Sequence, residues 1–323
     1  MAKHKKGAPE PQLFHRLKGL TTEQRNPESM DIDAQPVREI LKRINAQDKK
    51  VAFAVEKEIT HIARAVRLVA AALQKGGRLI YVGAGTSGRL GVLDAVECPP
   101  TFGIKPELIS GMIAGGDTAM FRAQEGAEDK EQGGARDIDK KRVGRKDVVC
   151  GIAASLQTPY VVGAIKRAKK LGAKTLYVTT NPRKKLASPD FAKLAASIDV
   201  AICPEVGPEI IMGSTRMKSG TAQKLVLNMI TTTAMIVSGK VYENMMVDLQ
   251  LTNAKLKERA KRIIITITGI SYEAAGRYLS EADGQVKTAI VMAKAGVSKP
   301  DARRRLRKAN GFVRKAIGKN IAS

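Results

Sequence analysis

Apolar residues first fall into a helical register between residues 51 and 74. Ile59, Ile62, Ala63, Val66, Val69, Ala70 and Leu73 recur at i, i+3 and i+4, one face of a helix. The pattern begins as early as Ile40 to Ile44, and Gly76 and Gly77 end it, as glycine commonly does at a helix C-terminus. Beyond Gly77 five short apolar runs, 78–83, 108–113, 147–153, 175–180 and 200–204, alternate with helical stretches such as 159–171. Short strands with nearly continuous hydrophobicity are buried on both faces. The alternation predicts an α/β fold: a doubly wound five-stranded parallel sheet. Ligands of such sheets bind in the loops after the C-terminal ends of the strands.

A long helix is predicted over 220–237, opened by the polar turn Gly213-Ser214-Thr215, and another over 253–264. From Thr268 the character changes. One helix ends near Gly284, a second covers 286–295 and a third 300–317, with no strand among them. The expected organisation is a basic leader at 1–20, an α/β domain at 21–260 and a small helical domain at 261–323.

Composition narrows the class. A chain of 323 residues with 43% hydrophobic content can build a buried core. It has no apolar run of the ~18–20 residues that a membrane span needs. Its basic start is not followed by the apolar segment of a secretory signal. The expected place is the cytoplasm, away from any membrane. Cys98, Cys150 and Cys203 lack a C-x-x-C spacing and read as reduced thiols. His4, His15 and His61 form no ligand cluster, so no metal is expected. The formal charge is +25, with basic runs at 4–6 and 302–315. Such a field draws anionic substrates. With 4% aromatic residues and no Trp, stacking platforms for nucleic acid are scarce, and nucleic-acid binding is not expected.

Five segments carry candidate chemistry. Residues 83–89, Gly-Ala-Gly-Thr-Ser-Gly-Arg, follow a strand and open a helix. Gly85 brings backbone N–H groups close to an anion, and the helix start adds positive potential. The string also fits the dinucleotide pattern G-x-G-x-x-G. Against that reading, the second strand ends Ile113-Ala114-Gly115-Gly116, without the acid that holds a ribose. Thr86 and Ser87 place two hydroxyls in the loop, which suits a sugar phosphate; a plain structural turn is the third reading. Ser155 and Thr158 sit before Pro159 after the third strand, either as anion contacts or as helix caps. Glu97 precedes Pro99-Pro100, which should stop the helix. A carboxyl near the negative end of a helix suits a proton donor. Glu125, Glu128 and Asp129 form an acidic cluster, and spacing alone does not choose among them. Residues 207–224 are dense in small, hydroxyl and cationic side chains, including Glu209, Ser214, Arg216 and Lys218.

Together GAGTSGRLGVLDAVECPPTFG, EGAED, GPEIIMGSTRMKSGTAQKLVLNM and KVYENMMVDLQLTNAKL resemble the N-acetylmuramic acid 6-phosphate etherases, and more loosely the glucokinase regulatory protein. The resemblance runs from about Leu20 to the C-terminus and includes Thr22-Glu23-Gln24-Arg25-Asn26-Pro27. It implies a sugar isomerase (SIS) fold, a homodimer and C-terminal helices like ubiquitin-associated modules. It implies a cofactor-free lyase that removes D-lactate from the C3 ether of N-acetylmuramic acid 6-phosphate in cell-wall sugar recycling. Carried onto this chain, Glu97 is the proton donor and Glu128 the base. Gly85, Thr86, Ser87, Ser155 and Thr158 contact substrate, as do Glu209, Ser214, Arg216 and Lys218. A non-catalytic sugar-phosphate-binding regulatory protein is the alternative.

The chain departs from that family pattern twice. Ser-Gly-Arg-Thr-Pro becomes Ser155-Leu156-Gln157-Thr158-Pro159, and Cys-Asn-Pro-Gly-Ser becomes Thr180-Asn181-Pro182-Arg183-Lys184. Arg183 and Lys184 are expected to compensate for the lost guanidinium. A straight helix from Gly88 would carry Glu97 ~13 Å along its axis at ~1.5 Å per residue. The complete site is therefore expected to be shared between two copies of the chain.

Overall fold

The computed structural model describes residues 19–251 and 253–318. All but the last two residues of the expected leader lie outside that range, and Leu20 is fully buried. The chain divides into two compact units. One runs up to Asp94 and resumes at Ser110–Ile230; the other comprises Ala95–Ile109 and the chain from Thr231 on.

In the first unit, α1 is Val37–Glu56 and α2 is Ile59–Gln74. The run expected to be continuous to residue 74 breaks at Lys57 and Glu58. There the Glu58 carboxylate turns inward and accepts from Arg183 Nη2 (2.6 Å) and the Cys203 backbone N–H (2.9 Å). The buried face of α2 is Ile62, Ala65, Val66, Val69, Ala70 and Ala72. The strands are β1 Leu79–Gly83, β2 Ile109–Ile113, β3 Val148–Ile152, β4 Lys174–Val178 and β5 Val200–Ile202. They form one sheet in the order β2-β1-β3-β4-β5, and β1/β3, β3/β4 and β4/β5 pair in parallel. Every residue of β1 and β3 is buried, which explains their unbroken hydrophobicity.

The first unit's helices are α3 Gly85–Phe102, α4 Glu131–Lys140, α5 Pro159–Lys170 and α6 Lys218–Val237, with the division between units falling inside α3 and α6. The sequence pattern did not single out α4. It lies so close to α5 that a Cβ on Gly134 would sit 1.8 Å from the Tyr160 carbonyl oxygen, and one on Gly163 1.9 Å from that of Glu131. The two bare glycines are what let the helices meet backbone to backbone.

The double proline does not stop α3, contrary to expectation. Pro99 and Pro100 lie inside its last turns. They forgo only the N–H bonds back to Ala95 and Val96. Thr101 Oγ1 donates to the Glu97 carbonyl (2.7 Å), and the Gly103 N–H to that of Pro99 (2.9 Å). Near a helix end so few lost bonds are tolerated.

The second unit is helical: α7 Ala254–Thr268, α8 Tyr272–Glu281, α9 Val286–Ala295 and α10 Lys299–Lys308, with a short hairpin of Val241–Tyr242 and Met245–Met246. It takes in residues 231–260, which the sequence pattern assigned to the α/β domain. The reason is one shared core: Ala260, Ile263, Ile264 and Ile267 of α7 pack with Ala275, Leu279, Ala289 and Ile290 of α8 and α9. The expected single helix over 300–317 ends at Lys308 and resumes as the turn Val313–Ala316, parted at Asn310 (φ +50°) and Gly311 (φ +80°). Among the described residues no helix is long and apolar enough to cross a membrane.

Asp147 ties the start of β3 to β1. It accepts from the Arg78 backbone N–H (3.0 Å), Arg78 Nε (3.1 Å), Arg78 Nη2 (2.8 Å) and the Gly144 N–H (2.9 Å). Burial pushes its carboxyl up, but Arg78 and the backbone donors outweigh burial and hold it below the ordinary value. On acidification the unfolded chain therefore takes up the proton first. The stabilisation is complete above about pH 5 and fades as the pH falls below about 4. Asp147→Asn is expected to cost about 2 kcal/mol at pH 7. Urea unfolding at pH 7 and pH 3.5 checks this, because the gap between parent and variant should narrow at the lower pH.

Candidate active site

The C-terminal ends of β1 and β3 build the centre of the site. Between β1 and α3 the backbone closes on itself: a Cβ on Gly83 would lie 2.5 Å from the Gly88 nitrogen, and one on Gly88 2.6 Å from Ile113 Cγ1. Only glycine fits at both positions. Gly85 takes φ +52° and starts α3, so Gly85, Thr86 and Ser87 form its first turn. The first N–H groups of a helix have no partner within it, and they face outward with the positive end of the dipole. This is an anion cradle made of backbone.

The loop after β3 supplies Ser155 and Thr158. Pro159 is the first residue of α5, and Thr158 before it makes no side-chain capping bond, so its hydroxyl is not spent on the helix. Leu156 is fully buried in the core of the first unit. Among the described residues, those outside glycine with positive φ are Arg142, Glu243, Asp283 and Asn310, so Leu156 keeps an ordinary backbone. Leucine here needs no glycine-like conformation.

A cavity of about 210 Å³ joins these loops. Gly85, Thr86, Ser87, Ser155 and Thr158 line it, together with Glu128, Glu23 and Thr215. Of the acidic cluster, Glu128 lines the cavity while Glu125 and Asp129 do not. Its backbone is fixed because its carbonyl accepts the Tyr160 N–H (2.9 Å), an otherwise orphaned donor in the first turn of α5.

Glu23 was not among the sequence-derived site residues. Its segment is moored at several points. Leu20 is buried, the Thr21 N–H donates to Asn181 Oδ1 (3.0 Å), and the Thr22 carbonyl accepts the Gly213 N–H (3.1 Å). Asn26 Nδ2 donates to Gln47 Oε1 (3.2 Å) and the Pro208 carbonyl (3.1 Å). Periodicity cannot show this, since the segment is built of short turns. The available signal was the string Thr22 to Pro27 within the family resemblance.

Four expected substrate contacts do not line the cavity. Glu209 is fully buried and its carboxylate accepts the N–H groups of Lys218 (3.0 Å) and Ser219 (2.8 Å), capping α6. Lys218 Nζ donates to Gln47 Oε1 (2.9 Å) and the Val206 carbonyl (2.8 Å). Burial pushes its pKa down, with the nearby Glu209 charge opposing. Ser214 is half-buried and Arg216 exposed. From this segment it is Thr215 that reaches the cavity. Arg183 and Lys184, expected to compensate for the altered loop, do not line the cavity either. The Arg183 guanidinium is held by Glu58 and by the Ala201 carbonyl (3.2 Å), and Lys184 is exposed. Glu97 is exposed on α3 and is not among the residues lining this cavity. Among the described residues, no group of three His, Cys, Asp or Glu could hold a metal ion.

The model of the glucokinase regulatory protein N-terminal SIS domain matches residues 61–169, from α2 to α5. Among solved structures, the phosphoheptose isomerase of Neisseria gonorrhoeae is similar at 17% identity and a TM-score of 0.45, over 62% of this chain and 98% of that one. Curated relatives match nearly the whole chain. The N-acetylmuramic acid 6-phosphate etherase of Salinibacter ruber is 58% identical over 94% of this chain and 96% of its own length. That of Photorhabdus laumondii is 52% identical over 93% of this chain and 97% of its own. At such identity over such length, the chain belongs to the N-acetylmuramic acid 6-phosphate etherase family.

Proposed function

We propose that the chain is a carbon–oxygen lyase that cleaves the C3 lactyl ether of N-acetylmuramic acid 6-phosphate, giving N-acetylglucosamine 6-phosphate and D-lactate. The observation that carries the reading is the cavity itself. It brings the α3 cradle, Ser155 and Thr158 to one place with Glu128 beside them. The donors suit a phosphate monoester, and a carboxylate lining the same cavity suits a base. The non-catalytic alternative is not favoured, because the match to etherases spans the whole fold while that to the regulatory protein covers residues 61–169.

The chemistry runs as an elimination followed by an addition. In the open-chain sugar the C1 aldehyde acidifies the proton on C2. Glu128 takes that proton, the C2 electron pair forms the C2=C3 bond, and the C3–O bond breaks. Glu97 protonates the departing lactyl oxygen. Water then adds across the double bond, its hydroxyl to C3 and a proton to C2. The two carboxyls must start in opposite protonation states, which distinct environments provide.

Glu97 is supplied to this cavity by a second copy of the chain. The reading rests on its absence from the cavity lining and on the rise of α3, which carries it away from the cradle. The working unit is then a homodimer with two shared sites. The buried free thiols Cys98, Cys150 and Cys203 suit a reducing cytoplasm.

Lactate release from N-acetylmuramic acid 6-phosphate tests the activity. Glu97→Ala and Glu128→Ala are each expected to lower kcat by at least ~100-fold. An equimolar mixture of the two variants should regain activity through hybrid dimers, and a mixture as inactive as its parts would reject the shared site. Ser155→Ala and Thr158→Ala should instead raise KM by about 10-fold each, with smaller changes in kcat.

A further inference from the structure

Ser87 is placed to serve a phosphate, yet its proton is already engaged. Ser87 Oγ donates to Gln223 Oε1 at 2.9 Å, in a contact buried on both sides. A serine hydroxyl carries one proton. While Gln223 accepts it, Ser87 can offer a phosphate only lone pairs, which repel the anion.

Gln223 is itself out of balance. It is 0% exposed, and among the described residues its Nε2 has no hydrogen-bond partner. It lies on α6 one turn after Gly220, where a Cβ would sit 3.4 Å from Thr86 Cγ2, so this face of α6 packs on the cradle. A carboxamide turned by 180° exchanges its two ends. Nε2 would then donate to Ser87 Oγ, and Oε1 would become the under-used atom. The turn exchanges one under-used end for the other, so an anion that accepts the freed proton tips the balance. The turn frees the hydroxyl proton of Ser87.

We propose that Gln223 is a positioning residue of the anion site: its carboxamide accepts from Ser87 when the cavity holds no anion, and turns to donate to Ser87 when a phosphate arrives, releasing the hydroxyl proton to it. This deepens the sugar-phosphate reading above and rests on it. Gln223 touches no reacting atom and acts through Ser87. Glutamine suits the post because its two ends are alike in shape and opposite in polarity.

The test uses two variants of the full chain, with N-acetylglucosamine 6-phosphate binding read by calorimetry and lactate release read beside it. Gln223→Glu keeps the shape but, once ionised, can only accept. It should weaken binding by about 10- to 100-fold at pH 8. Affinity relative to the unaltered protein should recover as the pH falls and the introduced carboxyl gains a proton to donate. The charged groups that line the cavity, Glu23 and Glu128, are common to both proteins, as is the phosphate, so what they contribute cancels in the ratio. Gln223→Met can neither accept nor donate, leaves the hydroxyl proton free, and should weaken binding only a few-fold. A pH-independent loss in the Glu variant, equal losses in both variants, or no loss in the Glu variant would each overturn the proposal. If either variant unfolds, as seen by its Tm, the other still decides, since each has its own expected magnitude. Should the unaltered protein bind the sugar phosphate yet release no lactate, the lyase reading fails while this inference stands or falls on binding alone.

Discussion

The site depends on one close approach, that of the Gly83 and Gly88 backbones. With no Cβ at either position, β1 can turn directly into α3 and present the helix's unpaired N–H groups at the sheet edge. Everything else at the cavity is arranged around that start. The loop after β3 brings hydroxyls because β3 pairs with β1 in parallel register, Gly83 beside Ile152. Glu128 arrives because α4 and α5 touch through Gly134 and Gly163. Thr215 arrives because Glu209 caps α6 and fixes its first turn.

Polar groups in and around the first unit's cavity sort into two kinds. Glu209, Lys218, Glu58 and Arg183 are spent on backbone and on one another. They cost desolvation, and their hydrogen bonds offset it. Ser155, Thr158 and Glu128 line the cavity instead, and Ser87 does both, lining it while its hydroxyl donates to Gln223. A residue's chemistry does not say which kind it is. Lysine beside serine and threonine reads as a phosphate contact until its Nζ is seen under Val206.

That difference marks how far the sequence could be read. All five strands lie within a residue or two of the runs that apolar continuity picked out, because burial on both faces leaves one plain signature. Local motifs likewise pointed to the loops that hold Gly85 to Ser87, Ser155 and Thr158, whereas Glu128 was singled out by the family resemblance and not by spacing. What was not legible depends on distant partners. The cap at Glu209 needs residues 218 and 219 folded back on it, and the wall at Glu23 needs Asn181 and Gly213. The prolines of α3 misled because their penalty depends on position within the helix, which the local string does not give.

The mooring of residues 20–26 has a consequence for synthesis. Three of its partners, Asn181, Pro208 and Gly213, lie some 160 to 190 positions further along the chain and leave the ribosome after it. Until those emerge, the turn that carries Glu23 lacks its moorings at Asn181 and Gly213. One wall of the pocket is thus finished late by a segment made well before its moorings, and a nascent protein can hold most of its sheet while still unable to enclose a ligand.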